Sequence, residues 1–529
     1  MPLPQHKFWR NITITVAEKP ANEAGQPDEE WAERRVGAEG NAVRQSTLRA
    51  QDRAGVSQAL DRIRKAARQG KTEKFTTLLH HIDIRLLRES FLTLRRDAAP
   101  GVDGMTWQDY ERDLEPRLAD LHDRVHRGAY RAQPSRRVMI PKADGKQRPL
   151  AIAALEDKIV QRAVLAVLNS IYEEDFLGFS YGFRPKRGQH DALDALVVGI
   201  TARKVNFILD ADIRSFFDSV SKVWLARFLE HRIGDKRIIR LIQKWLTAGI
   251  LEDGTVSVSE TGTGQGAVIS PLLANIYLHY VFDLWAEQWR GREATGDMII
   301  VRYADDIVMG FEHETDARRF WEAMRERLGA FSLTLHPDKT RLIAFGRHAA
   351  ANRKRDGLGK PETFDFLGFT FICGQSRQGK FLVTRKSRRD RVKAKLKEIK
   401  EALRRNMHKP ISEQGRWLRQ VLTGFFAYHG VPTNSRTLVA FRHHVMGLWR
   451  RALRRRSQKD HTTWETMARL AELWLPKPRI QHPWPNQRFA VKHPRWEPYA
   501  RKPHVRFCAG GRSVMGVPTA IPLATERNL

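Results

Sequence analysis

Met298-Ile299-Ile300-Val301-Arg302-Tyr303-Ala304-Asp305-Asp306-Ile307-Val308-Met309 sets two adjacent carboxylates between two apolar runs. The runs are of strand length and rich in β-branched residues, so the stretch reads as strand–turn–strand with the acidic pair at its tip. Like charges this close repel unless a cation neutralises them. A divalent metal does that, and metal-assisted phosphoryl or nucleotidyl transfer uses such clusters. A solvated hairpin turn explains the same residues without chemistry, so the decision passes to the rest of the chain.

A second acidic strand end lies upstream. Asn206-Phe207-Ile208-Leu209-Asp210-Ala211-Asp212 is a short buried strand ending in carboxylates, 93 residues before Asp305. If the two strands lie side by side, Asp212, Asp305 and Asp306 converge. Two Mg2+ ions (or Mn2+) about 4 Å apart could then be clamped between them and a triphosphate, which is chain-extending polymerase chemistry.

Composition narrows the partners. The 529 residues give room for several domains at about 150 residues each, and 41% hydrophobic content suffices for a sizeable core. There is no apolar run of membrane-spanning length, and Met1–Lys7 lacks an apolar signal core, so no membrane association is expected. Cys373 and Cys508 are too few and too far apart for a disulfide framework or a zinc-stapled module. A reducing cytoplasm fits. The net charge is +32, unevenly spread: residues 371–529 carry 35 Lys and Arg against 9 Asp and Glu, and residues 1–370 carry 57 against 51. Trp417, Phe425, Phe426, Tyr428, Trp449, Trp464, Trp474 and Trp484 interleave with the C-terminal charge, so that region reads as folded and suited to a polyanion.

Patterning predicts an α+β chain. Residues 1–55 read as a mobile leader, and a helical pattern starts near Gln58. Helices are expected over 106–127, 155–172, 221–230, 236–248, 269–289 and 314–330, with strands at 138–141, 206–212, 332–345 and 364–372 and a turn at 142–146. From Ser387 the chain is helical and basic, with Val392, Leu396, Ile399 and Leu403 on one core-facing stripe. Pro476, Pro478, Pro483 and Pro485 mark a boundary before a basic tail.

The motifs in combination resemble the bacterial group II intron-encoded reverse transcriptases, or maturases, from about residue 85 to 480. Ala98-Ala99-Pro100-Gly101-Val102-Asp103-Gly104 resembles the family's N-terminal extension. The stretches 137–150 and 179–188 resemble its fingers blocks. Asp210–Asp218 resembles the first metal-binding block. Gly264–Tyr277 resembles the block under the templating pair, with Gly264 where the family has Pro and Ala267 where it has Gly. Leu335–Thr340 and Phe366–Phe369 resemble the end of the palm, and Gly415–Asn434 the maturase-specific segment.

The resemblance implies a right-hand polymerase: leader 1–55, N-terminal extension and fingers 56–205, palm with a ferredoxin-like antiparallel sheet 206–375, helical thumb and maturase domain 376–480, and a tail 481–529 that could extend DNA binding. It implies an RNA-directed DNA polymerase that also binds intron RNA, an RNA template–DNA primer duplex and target DNA. By this resemblance Asp212, Asp305 and Asp306 are the metal-binding catalytic carboxylates, and Asp210 and Asp218 are structural. Lys142 and Arg148 reach the triphosphate, Phe217 excludes a 2′-hydroxyl, Gln265 backs the nascent pair, and Lys339 serves the leaving pyrophosphate. Arg450, Arg451, Arg454, Arg455 and Arg456 contact nucleic-acid phosphates. The alternatives are an intron-free reverse transcriptase serving host defence or spacer acquisition, and a splicing factor with an idle polymerase. No HNH-type endonuclease is expected, so primers would come from elsewhere, such as a replication fork.

Overall fold

The computed structural model describes residues 39–141, 147–252, 255–257, 261–262, 266–456 and 462–492. Eleven strands form among them: β1 Ser135–Pro141, β2 Gln147–Ile152, β3 Phe207–Asp212, β4 Ile250–Glu252, β5 Thr255–Ser257, β6 Met298–Tyr303, β7 Asp306–Phe311, β8 Arg341–Ala344, β9 Phe364–Phe366, β10 Phe369–Gln375 and β11 Phe381–Ser387. Their sheets run β2-β1-β4-β5, β6-β7-β3-β8 and β11-β10-β9. All named pairings are antiparallel except β1 with β4, so the chain is α+β, as its patterning predicts. It divides into two compact units.

The first unit takes residues up to 188, 213–285 and 324–335. Its central rod is the helix Leu155–Asp175, where Ile159, Val160, Ala163, Val164, Val167, Leu168 and Ile171 are fully buried. The larger of these side chains contribute about 1.5–3 kcal/mol each. The helices Glu39–Gln69 and Ile84–Leu92 pack on this rod. The first of them begins well before Gln58, because the polar residues 39–55 carry little apolar periodicity for a reader to see. Arg232 pins the region: fully buried, it bonds Asp175 at 2.9 Å and donates to the carbonyls of Gly70 at 2.7 Å and of Ala67 at 3.1 Å. Gly101 of the 98–104 motif lies so close to Ala154 that a Cβ would come within 2.5 Å of its Cα, so only glycine fits there.

One continuous helix over 269–289 is not what forms. A π-helical turn, His279–Asp283, separates Ser270–Leu278 from Leu284–Arg292. Such insertions do not alter residue-type periodicity enough to be read from one sequence.

The second unit takes residues 189–212, 286–323 and 336 onward. β6 and β7 are apolar along almost their whole length, the pattern of strands covered on both faces. The helix Gln189–Ala202 packs on β6, with Gly199 against Ile299. The basic C-terminal region folds as helices Arg389–Arg405, Ile411–His429, Ser435–Arg454 and Trp464–Trp474. Its core holds Ile399, Leu403, Phe425, Phe426, Phe441 and Trp449, with Val392 and Leu396 packed against it. The stripe on the first helix is therefore core. So are three of the aromatics that interleave with the charges, whereas Trp464 and Trp484 each remain 49% exposed. Residues 481–492 join this unit: the helix Pro485–Lys492 packs on Gln189–Ala202.

Candidate active site

The acidic hairpin forms as its sequence suggests. β6 and β7 pair to their ends, Tyr303 opposite Asp306, leaving Ala304 and Asp305 as a two-residue turn. Ala304 adopts φ +58°, the left-handed region that such tight turns demand. Arg302, fully buried, donates from Nη1 to the Ala304 carbonyl at 3.1 Å and braces the turn from beneath. Nothing in the sequence marked Arg302 for this, since a basic residue inside an apolar strand reads as a surface position.

β3 lies against β7 with Asp212 directly opposite Asp306. The side-by-side arrangement needed to gather the three carboxylates is thus present, and Asp212, Asp305 and Asp306 share one end of one sheet. Lys339 joins them. The segment His336–Thr340 is a turn hooked to the end of β3: the His336 N–H donates to the Asp212 carbonyl at 2.8 Å, and the Thr340 N–H to the His336 carbonyl at 3.0 Å. β8 then pairs Arg341 with Asp210. This geometry brings the Lys339 ammonium to 2.7 Å from Asp212 Oδ2.

The electrostatics follow. Exclusion of water, then the like charges of Asp305, Asp212 and Asp210, push the Asp306 carboxyl up to about 7, with Lys339 opposing. Asp306 nevertheless keeps surface open to solvent at the start of β7. Asp210 is pushed up to about 7 chiefly by burial, against the pull of Arg341 at 3.8 Å.

The donors are right in kind for a hard divalent cation, being carboxylate oxygens. Among the described residues, no group of three or more His, Cys, Asp or Glu side chains is picked out as able to hold a metal ion. The cation beside Asp212 is the Lys339 ammonium.

The other predicted positions are spread more widely. Phe217 lies in the short helix Phe216–Ser219, half-buried and edge-on to Phe216 at 5.4 Å. Arg148 sits in β2 opposite Ile140. Lys142 and Gln265 lie outside the described residues, as do residues 1–38, Cys508 and the tail beyond 492. Next to Gln265, Gly266 takes φ +112° with the Ala151 carbonyl 2.7 Å from where a Cβ would sit, so that end of the loop requires glycine.

The five arginines divide into two kinds. Arg451, Arg454 and Arg455 are exposed, although Arg451 also donates from Nε to the Gly447 carbonyl at 3.2 Å within its own helix. Arg450 instead lies over the Trp464 ring at 4.5 Å and donates to the Thr462 carbonyl, and Arg456 donates to the Lys409 carbonyl.

Comparison with known proteins adds ancestry to this geometry. Residues 140–371 match the family described as reverse transcriptase (RNA-dependent DNA polymerase). The chain is 35% identical over 319 residues to Protein YkfC of Escherichia coli K12, across 54% of this chain and 78% of that protein. It is 34% identical over 224 residues to the group II intron-encoded protein LtrA of Lactococcus lactis subsp. cremoris, across 42% of this chain and 37% of LtrA. It is 42% identical over 146 residues to an uncharacterized 91 kDa protein in the cob intron of Schizosaccharomyces pombe, across 28% of this chain and 18% of that protein.

Proposed function

This chain belongs to the family of group II intron-encoded reverse transcriptases and maturases, and from that premise we propose that it copies RNA into DNA and binds its own intron RNA to assist splicing and retrohoming. The observation that carries the polymerase half is the pairing of Asp212 with Asp306 beside Asp305 at the hairpin tip. Two bound Mg2+ ions (or Mn2+) would supply the positive charge that lowers the pKa of a primer hydroxyl and stabilises a leaving pyrophosphate. Asp212 and Asp305 would hold that charge in place, and Asp306 would add negative field beside them. Lys142 and Arg148 orient the triphosphate through charge-assisted hydrogen bonds. Gln265 lies against the nascent pair. Lys339 delivers positive charge, and a proton, to the departing phosphate oxygen.

Phe217 sets the sugar. A ring beneath the deoxyribose leaves no room for a 2′-hydroxyl, so the wild type extends a DNA primer on an RNA template with dNTPs and discriminates against rNTPs. Phe217→Val is expected to raise rNTP incorporation by about tenfold or more, equivalent to about 1.4 kcal/mol of relieved clash. The assay is single-nucleotide primer extension with each nucleotide type. Equal use of rNTPs by wild type and variant would remove Phe217 from this part, and absence of any RNA-templated extension would remove the polymerase assignment.

The maturase half rests on the basic helical region. Replacing Arg451, Arg454 and Arg455 together with Gln is expected to weaken intron RNA binding and to flatten the dependence of log K on log salt by about two to three units, about 0.7–0.9 per lost phosphate contact. Arg450→Gln and Arg456→Gln should instead lower thermal stability, since those guanidiniums serve intramolecular contacts. Filter binding over a salt series checks the first and thermal melting the second, and an unchanged slope in the triple variant would rule out that patch.

A further inference from the structure

The ammonium of Lys339 stands where a metal would be expected to meet Asp212. Its Nζ is 2.7 Å from Asp212 Oδ2, at charge-assisted hydrogen-bond distance. The contact comes from the backbone rather than from an extended side chain reaching at random. The 336–340 turn is tied to the last residue of β3 through the His336 N–H and the Asp212 carbonyl, and β8 continues from it into register with Asp210. The Lys339 side chain is nevertheless 60% exposed, against 23% for Asp212, so the ammonium can leave without unpacking anything. The acidic end of the sheet therefore contains its own mobile cation.

We propose that Lys339 is a built-in counter-ion for Asp212, which a divalent metal must displace in order to bind. This rests on the polymerase reading above and adds an order of events to it. Without metal, Lys339 offsets the repulsion among Asp212, Asp305 and Asp306 and keeps the hairpin end folded. With metal, the same lysine is expelled from Asp212 and becomes available to the triphosphate. The exchange raises the local charge by one, because a divalent ion replaces a monovalent ammonium. Metal affinity in the absence of nucleotide is thus held down by competition, and the site loads fully only when a triphosphate arrives with oxygens of its own.

The test is Mn2+ binding to the nucleic-acid-free full chain, without nucleotide, read by the electron paramagnetic resonance of free Mn2+. Wild type, Lys339→Met and Asp212→Asn are compared. Lys339→Met should bind the Asp212-dependent Mn2+ about fivefold more tightly than wild type, as expected for removal of a partly exposed ion-pair competitor. Its melting temperature should be lower than that of wild type in chelator and should recover more on adding Mn2+. Mn2+ affinity that depends on Asp212 but is the same in wild type and Lys339→Met would overturn the counter-ion proposal alone. Mn2+ binding that is the same in Asp212→Asn as in wild type would overturn the metal site itself, and the proposal with it.

Discussion

Asp305→Asn is expected to reduce DNA synthesis on an RNA template by about a thousandfold or more, a loss near 4 kcal/mol of transition-state stabilisation. The substitution is nearly isosteric, and Asp305 sits in a turn rather than in the ladder, so neither strand pairing nor core packing changes. What changes is charge. An amide offers a divalent ion one neutral oxygen where the carboxylate offered a full negative charge, and the crowding that raises the Asp306 carboxyl is relieved at the same stroke. Asp212→Asn should fall as far, with the added effect of releasing Lys339 from its partner. Asp306→Asn should cost less, because it stands beside the metal-binding pair rather than within it. Single-turnover extension separates these losses from binding, and RNA affinity should stay within about twofold of wild type in all three, since the proposed phosphate contacts lie in the basic helical region. An Asp305→Asn protein retaining a tenth of wild-type activity would show that the hairpin tip is a solvated turn after all.

How much of this could be read from the chain depends on how local each feature is. The hairpin and β3 were legible because an apolar run closed by carboxylates has few explanations, and the pairing of Asp212 with Asp306 follows once both strands are placed in one sheet. The helix Gln189–Ala202 was not read. It buries most of its faces, including Asp191 and Asp194, so it lacks the polar stripe that reveals an amphipathic helix. β11 was missed because its sequence, Phe381–Ser387, has basic residues at the end that pairs with Phe369 and Thr370. The aromatics of the C-terminal region suggested a nucleic-acid surface, yet Phe425, Phe426 and Trp449 make the core, and only burial distinguishes the two uses. Contacts between distant residues were the least accessible. Lys339 and Asp212 are 127 positions apart, and no local pattern announces that they meet.

The ion cluster on Gln189–Ala202 is the extreme case, and it carries the largest stability effect expected away from the site. Asp194 is 1% exposed and accepts from Arg385 at 3.0 Å and from Arg488, partners 191 and 294 positions away. Arg385 is equally enclosed, and burial holds its guanidinium below the usual arginine range, with Arg488 adding to the effect. Arg488 also donates to His482 at 2.7 Å, and His482 stacks on His190 at 3.8 Å between ring centroids. Asp194→Asn would leave two guanidiniums without the carboxylate that both donate to, at a cost of about 3–5 kcal/mol. Arg488→Gln should cost clearly less, because Asp194 keeps Arg385. The order matters more than either value: a pair-by-pair view would make the two substitutions alike, whereas the buried-charge view makes the lone acid the keystone. Urea denaturation of both variants reads the difference directly, and equal losses would favour the pairwise view. The effect should also reach chemistry, since the helix bearing Asp194 packs on β6, and β6 ends at Tyr303. Near its melting transition Asp194→Asn should therefore lose extension activity in step with folded protein, and regain wild-type turnover per folded molecule on cooling. A turnover deficit that persists in fully folded protein would mean instead that the cluster sets the position of the acidic hairpin as well as its stability.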